Sequence, residues 1–290
     1  MGLKCRAVRR VSLALQIVGC ISLSFLVTAC TENSAPPQLE TYAYSSAPVS
    51  ARCETGRRIG RAGASDGEAS ADGLGYQVRT PSNYDVTIAH PLLIVYAAAG
   101  QSGLASERMT GLTPTATASG FVIVYVDHRP LGIPAIEQLG TISGLVAKKW
   151  CIDEKRVFVT GHSDGGTASL ALAVFDKTKK MPAAIAPSAA GWRGKDLEAY
   201  QCPAPIPVMV MHGANDSLFP GWGAQTAAWW AACNGCDGAK TKKVDGGCVA
   251  YQGCASGGVT LYCEGAGSHR DWPNLNRVMI EFFVHPDKFL

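Results

Sequence analysis

The stretch Val157-Phe158-Val159-Thr160-Gly161-His162-Ser163-Asp164-Gly165-Gly166 constrains the chain more than any other. An apolar, β-branched run feeds directly into Gly-x-Ser-x-Gly, and the alanine-rich segment 167–174 follows with helix-forming residues. Strand, tight turn and helix give this pentapeptide the context of a nucleophile elbow. Gly161 and Gly165 have no Cβ, so strand and helix can close on the turn. The hydroxyl of Ser163 is then expected to project from it. The helix N-terminus below supplies free N–H groups and a positive dipole end where an oxyanion would form.

The rest of the chain repeats that alternation. Residues 92–96, 121–126, 184–186 and 207–211 are continuous apolar runs, as expected for parallel strands buried on both faces. Residues 76–80 alternate and predict an edge strand after a glycine-rich loop at 66–75. Residues 258–262 predict the final strand. Helices are expected over 109–119, 135–150, 224–233 and 274–284. The second has its apolar face at Ile136, Leu139, Ile142, Leu145 and Val146. Strands alternating with helices predict an α/β fold, a mostly parallel sheet covered by helices on both faces. In such sheets a site lies beyond the carboxyl ends of the strands. The loops at Ala97, Ser163, Asp216 and His269 all follow strands and should gather on that edge.

The first residues read as a targeting segment. Lys4, Arg6, Arg9 and Arg10 form a basic region, 11–27 is mostly apolar, and Val27-Thr28-Ala29 precedes Cys30. The pattern resembles a lipoprotein signal, with lipidation expected at Cys30. We therefore expect a signal peptide over 1–29, a flexible Ser/Ala/Pro/Thr-rich tether over 30–52 and a catalytic domain over 53–290. The expected location is outside the cytoplasm, anchored to a membrane through acyl chains. Of eleven cysteines, eight lie beyond Cys30. An even number in an exported protein predicts disulfides, with connectivity open. A zinc knuckle from Cys233, Cys236, Cys248 and Cys254 is the alternative. A net charge of +3 with no basic stripe gives no argument for a nucleic-acid partner.

A serine hydroxyl needs a base to take its proton and a carboxylate to orient that base. His212, His269 and His285 follow the elbow. His269 lies in a loop after the final strand, and Asp216 ends the loop after the strand before it. Together they give the chain order Ser, Asp, His of α/β-hydrolases. Asp271 and Asp237 are competing carboxylates. No metal or organic cofactor is implied.

Five segments together resemble the polyhydroxybutyrate depolymerase and feruloyl esterase family of secreted α/β-hydrolases. They are Gly161-His162-Ser163-Asp164-Gly165-Gly166, His212-Gly213-Ala214-Asn215-Asp216, Gly267-Ser268-His269-Arg270-Asp271-Trp272-Pro273, Cys151-Ile152-Asp153-Glu154-Lys155-Arg156-Val157-Phe158 and Trp230-Ala231-Ala232-Cys233-Asn234-Gly235-Cys236. The resemblance implies Ser163 as nucleophile, Asp216 as acid and His269 as base, and it implies one disulfide, Cys53 with Cys151. It also exposes a departure. The family usually has His-Gly-x-Gly after the first buried strand, where this chain has Ala97-Ala98-Ala99-Gly100. The backbone N–H of Ala98 or Ala99 could still complete an oxyanion hole beside that of Asp164, without the usual histidine.

The expected activity is hydrolysis of feruloyl, hydroxyalkanoate or short acyl esters, as small molecules or polymers. Trp192, Trp222 and Trp272 lie in loops near the expected edge and could line an aromatic or sugar site. A peptidase or acyltransferase using the same residues is the rival enzyme class, and a non-catalytic binding lipoprotein on the same scaffold is the rival outside catalysis.

Overall fold

A computed structural model describes residues 52–54 and 58–290, which fall within one compact unit. The signal region, Cys5, Cys20, Cys30 and the tether up to residue 51 lie outside the described residues.

One ten-stranded sheet carries the fold. In chain order its strands are β1 (Ala64–Ala69), β2 (Gly75–Arg79), β3 (His90–Tyr96), β4 (Val122–Val126), β5 (Ile152–His162), β6 (Ala184–Ser188), β7 (Pro207–Gly213), β8 (Asp237–Lys243), β9 (Cys248–Gln252) and β10 (Val259–Gly265). The spatial order is β1-β2-β4-β3-β5-β6-β7-β10-β9-β8. The block from β4 to β10 is parallel, and antiparallel strands extend it at both sides. The chain runs from β3 out to β4 and then crosses back to β5 on the other side of β3. The crevice between β3 and β5 is therefore a topological switch point, where α/β sheets bind ligands.

Alternate residues of the buried strands feed two cores, as period-two geometry requires. Leu92, Ile94, Val122, Val124, Val157 and Val159 pack on one face against Ile136, Leu139, Leu170, Leu172 and Trp230. These come from α3 (Ile133–Gly140), α5 (Asp164–Val174) and α7 (Trp222–Cys233), and the short α6 (Gly194–Leu197) adds Leu197. Leu93, Val95, Ile123, Phe158 and Met209 pack on the other against Leu112, Ala116, Met279 and Phe282. These belong to α2 (Leu112–Ala118) and α8 (Asn276–Val284). The sheet sandwiched between helices confirms the expected α/β-hydrolase architecture.

Several expected elements are corrected. The helix over 109–119 is two, α1 (Gly103–Thr110) and α2, broken at Gly111 with φ 57°. The helix over 135–150 is likewise two, α3 and α4 (Ile142–Lys149), meeting at Thr141. The loop over 66–75 contributes to β1, which covers β2, so residues 76–80 are not at the sheet edge. The hairpin β8–β9 follows α7 where no strand was expected.

All eight described cysteines that the sequence leaves after Cys30 are paired: Cys53–Cys151, Cys202–Cys233, Cys236–Cys254 and Cys248–Cys263. The four cysteines of the zinc alternative are thus spent in three of these bridges. Four disulfides fit a protein that matures in an oxidising compartment. Among the described residues no helix is long and apolar enough to cross a membrane.

Candidate active site

The turn after β5 is as tight as its glycines allow. A Cβ on Gly165 would lie 2.0 Å from the carbonyl oxygen of Tyr96. One on Gly161 would lie 2.5 Å from the backbone of Gly165. Ser163 between them has φ 54° and ψ −116°, a left-handed backbone that an L-residue adopts only under constraint. The Ser163 N–H donates to Ser188 O at 3.0 Å, which ties the turn to β6.

Asp216 follows β7 and is buried. Its Oδ1 accepts the N–H groups of Leu218 and Phe219 at 2.9 Å each. Its Oδ2 accepts a hydrogen bond from Nδ1 of His269 at 2.8 Å. Nε2 of His269 lies 3.0 Å from Oγ of Ser163. Nδ1 carries the proton that the carboxylate accepts, so Nε2 is the bare nitrogen facing the hydroxyl. Burial raises the Asp216 carboxyl's pKa, but the His269 hydrogen bond and the two backbone N–H groups outweigh it, and the net shift is downward. The chain Ser163–His269–Asp216 thus links the ends of β5, β10 and β7.

The loops bearing these residues are zipped together. Ala214 and Asn215 donate backbone N–H groups to Gly265 and Gly267. The Asn215 amide donates to Ala266 O at 2.7 Å. Asp271, a competing carboxylate, accepts from the N–H and hydroxyl of Ser268 and shapes the His269 loop. Asp237 starts β8 and pairs with Lys240 at 2.9 Å. His212 is buried and donates from Nε2 to Phe219 O at 2.9 Å, bracing the Asp216 loop. His285 caps the end of α8.

The expected oxyanion donors are main-chain N–H groups. The N–H groups of Asp164, Ala98 and Ala99 have no backbone partner among the described residues. The N–H of Asp164, in the first turn of α5, has no acceptor within the helix. Of the three tryptophans, Trp222 stacks on Phe219 with centroids 4.6 Å apart, and Phe219 meets the His269 ring edge-on at 4.8 Å. Trp272 lies 6.3 Å from His162 and donates to Asn276. Trp192 stacks on Tyr200, which also stacks on Phe175.

Sequence reasoning passed over His162 and His128. His162 bonds to Ser188 and to the backbone of His269. His128 bonds to Asp164. Both lie at the carboxyl ends of strands, the same signal that singled out His269.

No family model and no curated protein matches the chain. Solved structures do. An acetyl xylan esterase from Aspergillus awamori is similar with a TM-score of 0.57 at 17% identity, over 76% of this chain and 97% of that one. A truncated carbohydrate esterase from gut microbiota is similar with a TM-score of 0.54 at 12% identity, over 80% and 98%. A substrate-bound, fluorophosphonate-binding serine hydrolase of Staphylococcus aureus is similar with a TM-score of 0.53 at 14% identity, over 73% and 92%. Identities this low define a shared fold, that of the α/β-hydrolases.

Proposed function

We propose that the chain is an exported serine esterase. The observation that carries this reading is the hydrogen-bonded chain Ser163–His269–Asp216, hung on a serine with left-handed backbone. Ser163 Oγ attacks the ester carbonyl carbon while its proton passes to Nε2 of His269. The ionised Asp216 stabilises the resulting imidazolium. The carbonyl oxygen becomes an alkoxide held by the N–H of Asp164 and of Ala98 or Ala99. As the tetrahedral species collapses, the C–O bond to the alcohol breaks and His269 returns the proton to it. Water, deprotonated by His269, then clears the acyl-enzyme.

Two of the solved structures above are named as an acetyl xylan esterase and a carbohydrate esterase. Acyl esters of carbohydrates therefore head the substrate list, with feruloyl, hydroxyalkanoate and simple short acyl esters behind. The ring pair Phe219–Trp222 beside His269 supports a flat apolar or sugar group there. Export is supported by the basic and apolar N-terminal pattern and by the disulfides, and the anchor we assign is acylated Cys30.

The test is release of p-nitrophenol from acetate and butyrate esters by the oxidised full-length protein beside Ser163→Ala. Turnover that vanishes in the variant supports the reading, and a folded parent without turnover on these or on acetylated and feruloylated sugars overturns it. Intact mass with an unmodified Cys30 overturns the anchor.

A further inference from the structure

The loop after β3 lacks the histidine that the family resemblance leads one to expect, yet an imidazole stands at the same edge. His128 lies just past β4, two residues beyond Val126. Its Nε2 is 2.9 Å from Oδ2 of Asp164, the residue after the elbow serine. A carboxylate can only accept, so Nε2 carries the proton and donates. The ring is mostly buried, with 15% of its side chain exposed. Its backbone points elsewhere, for the His128 N–H donates to Gln101 O at 3.0 Å. Gln101 closes the turn over 98–101 by donating its own N–H to Ala98 O at 2.9 Å. The neighbouring Asp127 accepts the N–H of Gly103 at 2.7 Å and fixes the far end of the same loop.

One residue therefore grips both walls of the gap beside Ser163. The side chain holds the start of α5, and the main chain holds the loop after β3. The walls abut, because a Cβ on Gly165 would lie 3.1 Å from Ala97 O. The contact also turns the Asp164 carboxylate toward a donor. Left unpaired, that charge would sit on the very residue whose N–H is meant to receive a developing negative charge, and would oppose it.

We propose that His128 is a positioning residue for the oxyanion hole: it sets the separation of the Asp164 and Ala98 donors and holds the Asp164 carboxylate in a hydrogen bond. This rests on the esterase reading above. The hole is filled only when the carbonyl oxygen becomes an alkoxide, so its misplacement should be felt in the transition state and not in substrate binding.

The experiment uses the oxidised full-length protein, with Ser163→Ala, His128→Ala and His128→Gln. Each is assayed for kcat and KM on p-nitrophenyl acetate and for inhibition by a phenyl trifluoromethyl ketone. Ser163 Oγ adds to the ketone carbon, the hydroxyl proton passes to His269, and the carbonyl oxygen becomes an alkoxide that needs the hole. We expect His128→Ala to lower kcat by about 10- to 100-fold and to weaken the ketone by a similar factor. KM should stay within about threefold, as for an interaction made only in the transition state. His128→Gln keeps an N–H donor of similar reach and should recover most of both. A folded His128→Ala with kcat and ketone affinity like the parent overturns the inference while leaving the esterase reading intact. So does a loss in kcat that the ketone does not share and glutamine does not rescue. A parent as inert as Ser163→Ala overturns the reading and the inference with it.

Discussion

Nε2 of His162 and the backbone carbonyl of His269 stand 2.6 Å apart, joining the residue before the elbow serine to the backbone of the residue facing it. The carbonyl can only accept, so Nε2–H of His162 donates, and its Nδ1 accepts from the Ser188 hydroxyl at 3.1 Å. Burial lowers the pKa of His162 and keeps the ring neutral. His269 thus has its side chain fixed by Asp216 and its main chain fixed by His162. Replacing His162 by Ala should lower kcat on p-nitrophenyl acetate by about 10-fold or more, in line with the sensitivity of oriented groups to small displacements. His162→Gln, which can still donate to the carbonyl, should lose less.

The hydrogen-bonded group predicts a graded mutational series. Ser163→Ala and His269→Ala should each lower kcat on the order of 10⁶-fold, and Asp216→Asn on the order of 10⁴-fold. The double variant Ser163→Ala/His269→Ala should be scarcely worse than either single one, because the groups act as a unit. Steady-state assays of the four proteins check both statements.

The closeness of the turn predicts intolerance at Gly165. A methyl there meets backbone, not a movable side chain, at 2.0 Å from Tyr96 O. Gly165→Ala should cost about 3 kcal/mol or more, or prevent folding, whereas Gly144→Ala, with nothing near its new Cβ, should be tolerated. Thermal unfolding of the two variants separates them.

Acid should loosen the fold through two buried histidines. Burial is the main cause that lowers the pKa of both His90 and His162. His90 donates from Nδ1 to Gly120 O and accepts the Asp85 N–H at Nε2, so protonation would remove an acceptor. The unfolded chain binds these protons more readily than the folded one, so stability rises with pH through this range. The contribution is fully present above the ordinary histidine value of about 6.5 and is lost as pH falls below it. Tm should therefore drop between about pH 7 and pH 5, and His90→Gln should flatten that slope. The lowered Asp216 carboxyl adds a separate loss at lower pH, as pH falls through its folded value.

The bridge Cys53–Cys151 closes a loop of 98 residues and ties the first described strand contacts to the base of β5. Loop-closure entropy assigns it about 4–5 kcal/mol, the largest share of the four. Cys53→Ala/Cys151→Ala should lower Tm more than Cys248→Ala/Cys263→Ala, whose loop separation is 15.

The central strands were legible because residues such as Leu92 to Tyr96 are buried on both faces and leave an unbroken apolar run. Ser163, Asp216 and His269 were legible because strand ends in such a sheet share one edge. The outer strands were not. β1 reads Ala-Ser-Asp-Gly-Glu-Ala and β8 is almost wholly exposed, so no hydrophobic period marks them. The helix breaks fall at Gly111, whose left-handed backbone caps α1, and at Thr141, which ends α3 and opens α4. The contacts of His128 and His162 join residues 36 and 107 apart, a proximity that only the folded sheet creates. Three of the four disulfide pairings belong to the same category.

The last strand of the sheet carries a consequence for crowded conditions. β8 offers an unpaired row of backbone groups, the template on which a second molecule could add its own edge. Lys240, Lys242 and Lys243 stud that row, and the pairing with β9 slips between Asp237 and Thr241. Like charges would face each other where β8 of one copy met β8 of another, and the slip breaks the regular register of the strand. Those lysines therefore oppose the growth of the sheet from one copy to the next through β8.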